Sequence, residues 1–253
     1  TKGNWEVNND FIEFDKTGEF LYFSANKQSP VEQHTYKINI KSSDIYLLTK
    51  DEGFHSSKLN NGAGYIIDNY SHMDNPRTIQ IIDTEGKVVK ELLQAEDPLK
   101  NYNLGEAEIN TIKTADGETD LYYRLIKPAD FNPDKEYPAI IYVYGGPHAQ
   151  LVQNRWLGSA RMWQYYMAQK GYVMLTIDNR GSANRGMAFE SIIHRNLGTH
   201  ELSDQMQGVK LLKDLGYVDT SRIGVHGWSY GGFLTTSLML KQPETFKVGV
   251  AGG

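Results

Sequence analysis

Apolar residues in the first hundred positions come in short alternating runs. Phe20-Leu21-Tyr22-Phe23, Tyr36 to Ile40, Ile45 to Leu48, Tyr65-Ile66-Ile67, Thr78 to Ile82 and Val88 to Leu93 each read as a β-strand. Turn residues bound them at Thr17-Gly18, Asn61-Gly62 and Glu85-Gly86. The runs repeat. Gly18 and Leu21-Tyr22-Phe23 align with Gly62 and Tyr65-Ile66-Ile67 at a shift of 44, Ile38 aligns with Ile81 at 43, and Ile45 and Leu48 align with Val89 and Leu92 at 44. A period near 44 with about four strands per unit is the spacing of propeller blades. Two blades cannot close a ring or bury both of their faces, so earlier blades are expected in the complete protein. The competing reading is an antiparallel sheet with coincidental spacing. His34, His55 and His72 lie among polar residues without metal-ligand spacing, and surface or turn positions are expected for them.

The pattern changes after a linker-like stretch at Glu96-Asp97-Pro98 and Asn101-Tyr102-Asn103. A hairpin follows, with Ile109 to Lys113 and Leu121 to Ile126 flanking Ala115-Asp116-Gly117. Ala139 to Tyr144 is a near-continuous apolar run, as in a strand buried on both faces. Gly158 to Gln169 reads as a helix ended by Gly171, and Tyr172 to Ile177 as the next strand. Glu201 to Leu215 places Leu202, Met206, Val209 and Leu212 on one helical face. Ile223 to His226 is a strand, Phe233 to Lys241 a helix, and Phe246 to Ala251 starts another strand. Strands alternating with helices predict a parallel sheet with right-handed crossovers.

The helix and strand at the end of this series flank Gly227-Trp228-Ser229-Tyr230-Gly231-Gly232. The stretch reads G-x-S-x-G in the strand–turn–helix context of a nucleophile elbow. A serine hydroxyl must stand exposed on a sharp turn, and a side chain two residues to either side would crowd it. Gly227 and Gly231 carry no Cβ and tolerate the strain. The turn aims the Tyr230 backbone N–H where an oxyanion would form, beside the positive end of the following helix. A serine that merely caps the helix is the bland alternative. In this fold the second oxyanion donor comes from the loop after the first buried strand, here Tyr142-Val143-Tyr144-Gly145-Gly146-Pro147; a Tyr144 hydroxyl at the strand end would serve. Motif and pattern together predict a partial α/β-hydrolase preceded by blades of a β-propeller.

Composition narrows the chemistry. The 253 residues are 40% hydrophobic and 23% charged, an ordinary globular balance. A net charge of −5 and a pI near 5.8 argue against a general nucleic-acid binder. The absence of cysteine excludes disulfides, thiolate catalysis and cysteine-based zinc sites. No apolar run approaches the length of a membrane span, and no metal or organic cofactor is required.

The order of an α/β-hydrolase triad is Ser, then Asp or Glu, then His. After Ser229 there is neither histidine nor aspartate, and Glu244 is the only acid. His226 sits at a strand end, where a general base is not expected, and His148 belongs to a loop. The triad is therefore incomplete in this chain, and truncation is favoured over an inert relative. The chain opens with Thr1 and stops in an apolar run, so missing regions are expected on both sides.

Tyr144-Gly145-Gly146-Pro147, Asp178-Asn179-Arg180-Gly181-Ser182, Asn196-Leu197-Gly198 and Gly227 to Gly232 together resemble the prolyl oligopeptidase family of serine peptidases. Within it they are most similar to the dipeptidyl peptidase IV branch and its bacterial prolyl tripeptidyl peptidases. The resemblance covers most of residues 106 to 253 and extends loosely over 1 to 100. It implies C-terminal propeller blades over 1–104 and the N-terminal part of a catalytic domain over 105–253. It implies Ser229 as the acylated nucleophile and Tyr144 and Tyr230 as the oxyanion donors. It also implies the Tyr230 ring as one wall of a pocket for proline at P1, with Trp228 packed beside the elbow. Asp178 and Arg180 would hold loops together. The resemblance implies peptide substrates, release of N-terminal di- or tripeptides, a periplasmic or secreted location and a possible homodimer. The catalytic Asp and His have no matching positions here, so these 253 residues alone are expected to be inactive. An acylaminoacyl peptidase or oligopeptidase on the same fold, and an inert binding protein, remain the alternatives.

Overall fold

The computed structural model describes residues 3–60 and 64–253; the expected Asn61-Gly62 turn lies outside them. The chain divides into two compact units. One takes Thr1–Leu99 with Gln153–Ser159 and Asn184–Gly186, and the other takes Lys100–Val152, Ala160–Ala183 and Met187–Gly253.

The first unit consists of two four-stranded antiparallel meanders. The strands β1 (Val7–Phe14), β2 (Phe20–Ala25), β3 (His34–Asn39) and β4 (Ile45–Leu47) form one sheet in that order. The strands β5 (Phe54–Asn60), β6 (Tyr65–His72), β7 (Asn75–Asp83) and β8 (Val88–Gln94) form the other. These are two propeller blades, each an open sheet, and the 44-residue period is their spacing. All six apolar runs fall on strands. Sequence periodicity passes over β1 and β5. A bulge between Asn8 and Ile12 breaks the alternation of β1. In β5 the alternation is present but inverted, with the polar His55 and Ser57 buried.

Surface positions do not hold for two of the three histidines. His34 and His55 are buried because each ring nitrogen has a partner. His55 Nδ1 lies 2.9 Å from Asp68 Oδ2 and Nε2 lies 2.8 Å from the Asp51 carbonyl. His34 reaches the Thr49 carbonyl at 3.1 Å and Glu32 Oε2 at 3.2 Å. His72 is half-buried at the end of β6.

The second unit is built on one six-stranded sheet, composed of β9 (Ala107–Lys113), β10 (Asp120–Ile126), β11 (Tyr137–Val143), β12 (Val173–Ile177), β13 (Val218–Trp228) and β14 (Phe246–Gly252). Its order is β14-β13-β11-β12-β10-β9. The four strands from β14 to β12 are parallel, and β10 and β9 are antiparallel. Helices α1 (Met162–Gln169), α2 (Met187–Ser191), α3 (His200–Asp214) and α4 (Tyr230–Lys241) complete it. This is the sheet and crossover pattern of an α/β-hydrolase. The expected helix from Gly158 begins only at Met162, because Leu157 and Gly158 adopt φ of 59° and 61°, outside the helical region. Leu121, Leu125, Ile141, Leu175, Leu212, Leu234 and Leu238 are wholly buried between sheet and helices. Each contributes about 1.5–3 kcal/mol on burial, enough to fix the strand ends that carry the site.

Candidate active site

β13 ends at Trp228 and α4 begins at Tyr230, leaving Ser229 alone to make the turn. Its backbone angles, φ 58° and ψ −119°, are those of the first central residue of a type II′ turn, a position that glycine normally fills. Holding a serine there costs about 1–3 kcal/mol. The strain therefore sits on the serine and not on the flanking glycines, whose φ values are unexceptional. Those glycines are needed for space. A Cβ on Gly227 would strike the Gly231 backbone, and one on Gly231 would strike the Val143 carbonyl. Ser229 is exposed, and its side chain makes no capping bond to α4. The helix-cap alternative thus fails.

The backbone around Ser229 is tied on both sides. The Ser229 N–H donates to the Gly252 carbonyl at 2.8 Å. Gly232 and Phe233 turn their N–H groups back to the Ser229 carbonyl at 2.8 and 3.2 Å. Tyr230 opens α4, where backbone N–H groups have no intrahelical acceptor. Trp228 is 59% exposed and its indole covers Gly252.

Tyr144 follows β11 directly. Its ring lies 6.0 Å from that of Tyr230, and among the described residues its hydroxyl has no hydrogen-bond partner. The next two residues pack tightly. Gly145 has a φ of 73°, and its carbonyl accepts from Asn179 Nδ2 at 2.9 Å. A Cβ on Gly146 would lie 2.5 Å from Tyr230 Cγ. The structure thus brings Ser229, Tyr144 and Tyr230 together with four tightly packed glycines, Gly145, Gly146, Gly227 and Gly231.

Asp178 accepts the Leu151 and Val152 N–H groups at 2.9 and 2.8 Å. Arg180 pairs with the buried Asp204 at 2.7 Å and with Asp116 at 3.3 Å. Both residues are loop ties. His226 Nδ1 is 2.8 Å from the Val250 carbonyl, and its ring stands edge-on to Trp163. His148 is an exposed loop residue, 3.3 Å from Glu190. An apolar groove of about 550 Å³ lies against Ile140, Trp163, Val225, His226 and Val248. None of Ser229, Tyr144 or Tyr230 lines it, so it is separate from the serine site.

Sequence reasoning missed three residues of α3. Glu201, Asp204 and Gln205 are wholly buried and reach Tyr230, Arg180 and Asn179 respectively. Their spacing of three and four places them on one helical face, but polar residues there read as solvent-facing. The Tyr230 hydroxyl donates to Glu201 Oε1 at 2.6 Å. Burial, and then the Glu201 carboxylate, push the Tyr230 phenol well above its ordinary pKa, so it remains a donor.

Residues 159–253 match the prolyl oligopeptidase family, and residues 1–77 match the dipeptidyl peptidase IV N-terminal region. The chain belongs to the prolyl oligopeptidase family. It is 34% identical to human dipeptidyl peptidase 8 over 268 residues, which covers 100% of this chain and 29% of that protein. It is 35% identical to a probable dipeptidyl-aminopeptidase B of Emericella nidulans, covering 99% of this chain and 28% of the relative. A solved structure from Bacteroides ovatus, assigned as a dipeptidyl aminopeptidase IV, aligns with a TM-score of 0.92 at 49% identity; the match covers 100% of this chain and 36% of that one. Porphyromonas gingivalis dipeptidyl peptidase 4 aligns with a TM-score of 0.88 at 30% identity, over 99% of this chain and 35% of that one. The chain thus spans under a third of the length of these curated family relatives. Among the described residues no helix is long and apolar enough to cross a membrane, and no group of side chains forms a metal site.

Proposed function

We propose that the full-length protein is a serine dipeptidyl peptidase that forms an acyl-enzyme on Ser229. The observation that carries this is an exposed, uncapped serine held at φ 58° between a buried strand and a helix. Ser229 Oγ attacks the scissile carbonyl carbon, its proton passes to a general base, and charge develops on the carbonyl oxygen. The Tyr230 N–H and the Tyr144 hydroxyl donate to that oxygen. The C–N bond then breaks, the protonated amine leaves, and water hydrolyses the ester. An unassisted serine hydroxyl is a weak nucleophile. We accordingly infer that the 253 residues by themselves do not turn over, the base and its acid partner being supplied from outside them.

The finer assignment is proline at P1, packed on the Tyr230 ring as a rigid apolar group on an aromatic face. Release of di- or tripeptides, a homodimer and a periplasmic or secreted location extend the proposal from the resemblance. The decisive experiment uses the full-length protein with free-amino X-Pro and X-X-Pro chromogenic substrates and N-acylated controls. Cleavage restricted to free-amino substrates supports the exopeptidase, and the preferred length names the branch. Cleavage of blocked substrates instead assigns an acyl-peptidase or oligopeptidase. Silence on both, with Ser229 unlabelled by a fluorophosphonate, identifies a binding protein on a hydrolase fold.

A further inference from the structure

Tyr230 carries two tasks in the proposed reaction, one through its N–H and one through its ring, and the half-buried ring is held by three neighbours. Gly146 presses against one face, Phe233 stands edge-on at 5.4 Å, and Tyr144 lies at 6.0 Å. The remaining freedom, rotation that would swing the hydroxyl away, is removed by Glu201. Its carboxylate is wholly buried, and Oε1 accepts both the Tyr230 hydroxyl at 2.6 Å and the Gly198 N–H at 3.0 Å. Oε2 accepts the Thr199 N–H at 3.0 Å. Among the described residues no cation pairs with it. Lys241 Nζ is taken by the Gly198 carbonyl at 2.9 Å, and Arg180 by Asp204 and Asp116.

A buried carboxylate with only neutral donors depends on each of them. Two are the N–H groups of Gly198 and Thr199 just before α3, and Glu201 itself sits in the first turn of that helix, where negative charge is favoured. The third is the phenol, in a short charge-assisted bond of the stronger class. Phenylalanine would present the same apolar wall at position 230 without this bond. The hydroxyl is directed at α3, so its use is to anchor the ring.

We propose that Glu201 is a positioning residue that fixes the Tyr230 ring and, through it, the P1 preference of the enzyme. The proposal rests on the acyl-transfer reading of Ser229. Glu201 reaches the ring through one of its three hydrogen bonds, so a change at either partner of that bond should move the P1 preference in the same direction.

The test is steady-state kinetics of the full-length protein on matched substrates with proline or alanine at P1. Tyr230→Phe and Glu201→Gln are each expected to lower kcat/KM for the proline substrate about ten-fold, the loss typical of a hydrogen bond to a charged group. The proline-to-alanine ratio should fall in both. The double variant should lose less than the product of the two single losses, because glutamine weakens the same bond that Tyr230→Phe removes. Labelling of Ser229 by a fluorophosphonate should persist in all three. Multiplied effects in the double variant, or an unchanged ratio in Tyr230→Phe, overturn the proposal. If Glu201→Gln fails to fold, Tyr230→Phe decides alone, since it leaves the carboxylate and both loop bonds in place. Wild-type protein with neither turnover nor labelling overturns the acyl-transfer reading and this proposal with it. Wild-type turnover with an unmoved ratio in Tyr230→Phe overturns this proposal only.

Discussion

Both units bury polar and charged side chains, and they use them differently. In the blades, Asp68 takes His55 at 2.9 Å, Ser57 at 3.0 Å and Gln80 at 3.1 Å, all from β5 and β7, the strands flanking its own β6. Ser57 also accepts from Thr35 of β3 at 2.7 Å, so that network joins strands of the two blade sheets. In the hydrolase unit, Glu201, Asp204 and Gln205 point out of α3 and hold Tyr230 at the start of α4 and Arg180 and Asn179 after β12. Asn179 in turn holds the Gly145 carbonyl. Burying a polar group is costly unless it is paired. Where the partners are strand residues, the pairing stabilises the sheets. Where they lie at a helix start or in a loop, the pairing sets their positions, including that of the Tyr230 side chain beside Ser229.

Substitutions should separate the two uses. Ser229→Ala in the full-length protein is expected to lower kcat about a million-fold with little change in unfolding midpoint; retention of most activity on a chromogenic peptide would sink the nucleophile assignment. Tyr144→Phe should cost about a hundred-fold in kcat if its hydroxyl serves the oxyanion, and an unchanged rate removes it from the site. Asp68→Ala should do the opposite. It takes one acceptor from each of His55, Ser57 and Gln80, so we expect about 2 kcal/mol of lost stability by urea unfolding, with kcat of the folded enzyme unaltered. A kcat that falls with it would erase the contrast. Ser229→Gly relieves the positive φ and should raise stability by about 1 kcal/mol while abolishing turnover; an unmoved midpoint would mean that the turn is not strained.

The smallest expected effect is the pH dependence of Glu32. Burial raises its pKa, but bonds from His34, Asn154 and the Gly53 N–H outweigh this and hold it below the ordinary glutamate value. Its contribution is therefore present above the unfolded pKa of about 4.3 and is lost as pH falls through the lowered folded value. Glu32→Gln should flatten the acid limb of the stability profile by lowering the neutral midpoint slightly, and should leave the midpoint at low pH nearly in place.

The same contrast explains what could be read from the chain. G-x-S-x-G was legible because its glycines meet a steric demand that no other residue satisfies, although the demand is one of space and the backbone strain falls on Ser229. The parallel strands were legible as apolar runs, and six of the eight blade strands as alternating ones. β5 was not, because His55 and Ser57 take the inward positions that alternation reserves for apolar residues. Glu201 was not, because a glutamate in the first turn of a helix ordinarily faces water and its partner lies 29 residues away. Partners brought together only by the fold have no local sequence signature.

Trp228 is the last residue of β13, directly before Ser229, with more than half its surface open, and the other three tryptophans are less exposed. An indole in that position emits at the long wavelengths of a hydrated ring. A peptide or an acyl group covering it would shift the emission to the blue and change its intensity. In the full-length protein Trp228 would thus be an optical probe one residue from the proposed nucleophile, by which acylation of Ser229 could be followed in real time without a chromogenic leaving group.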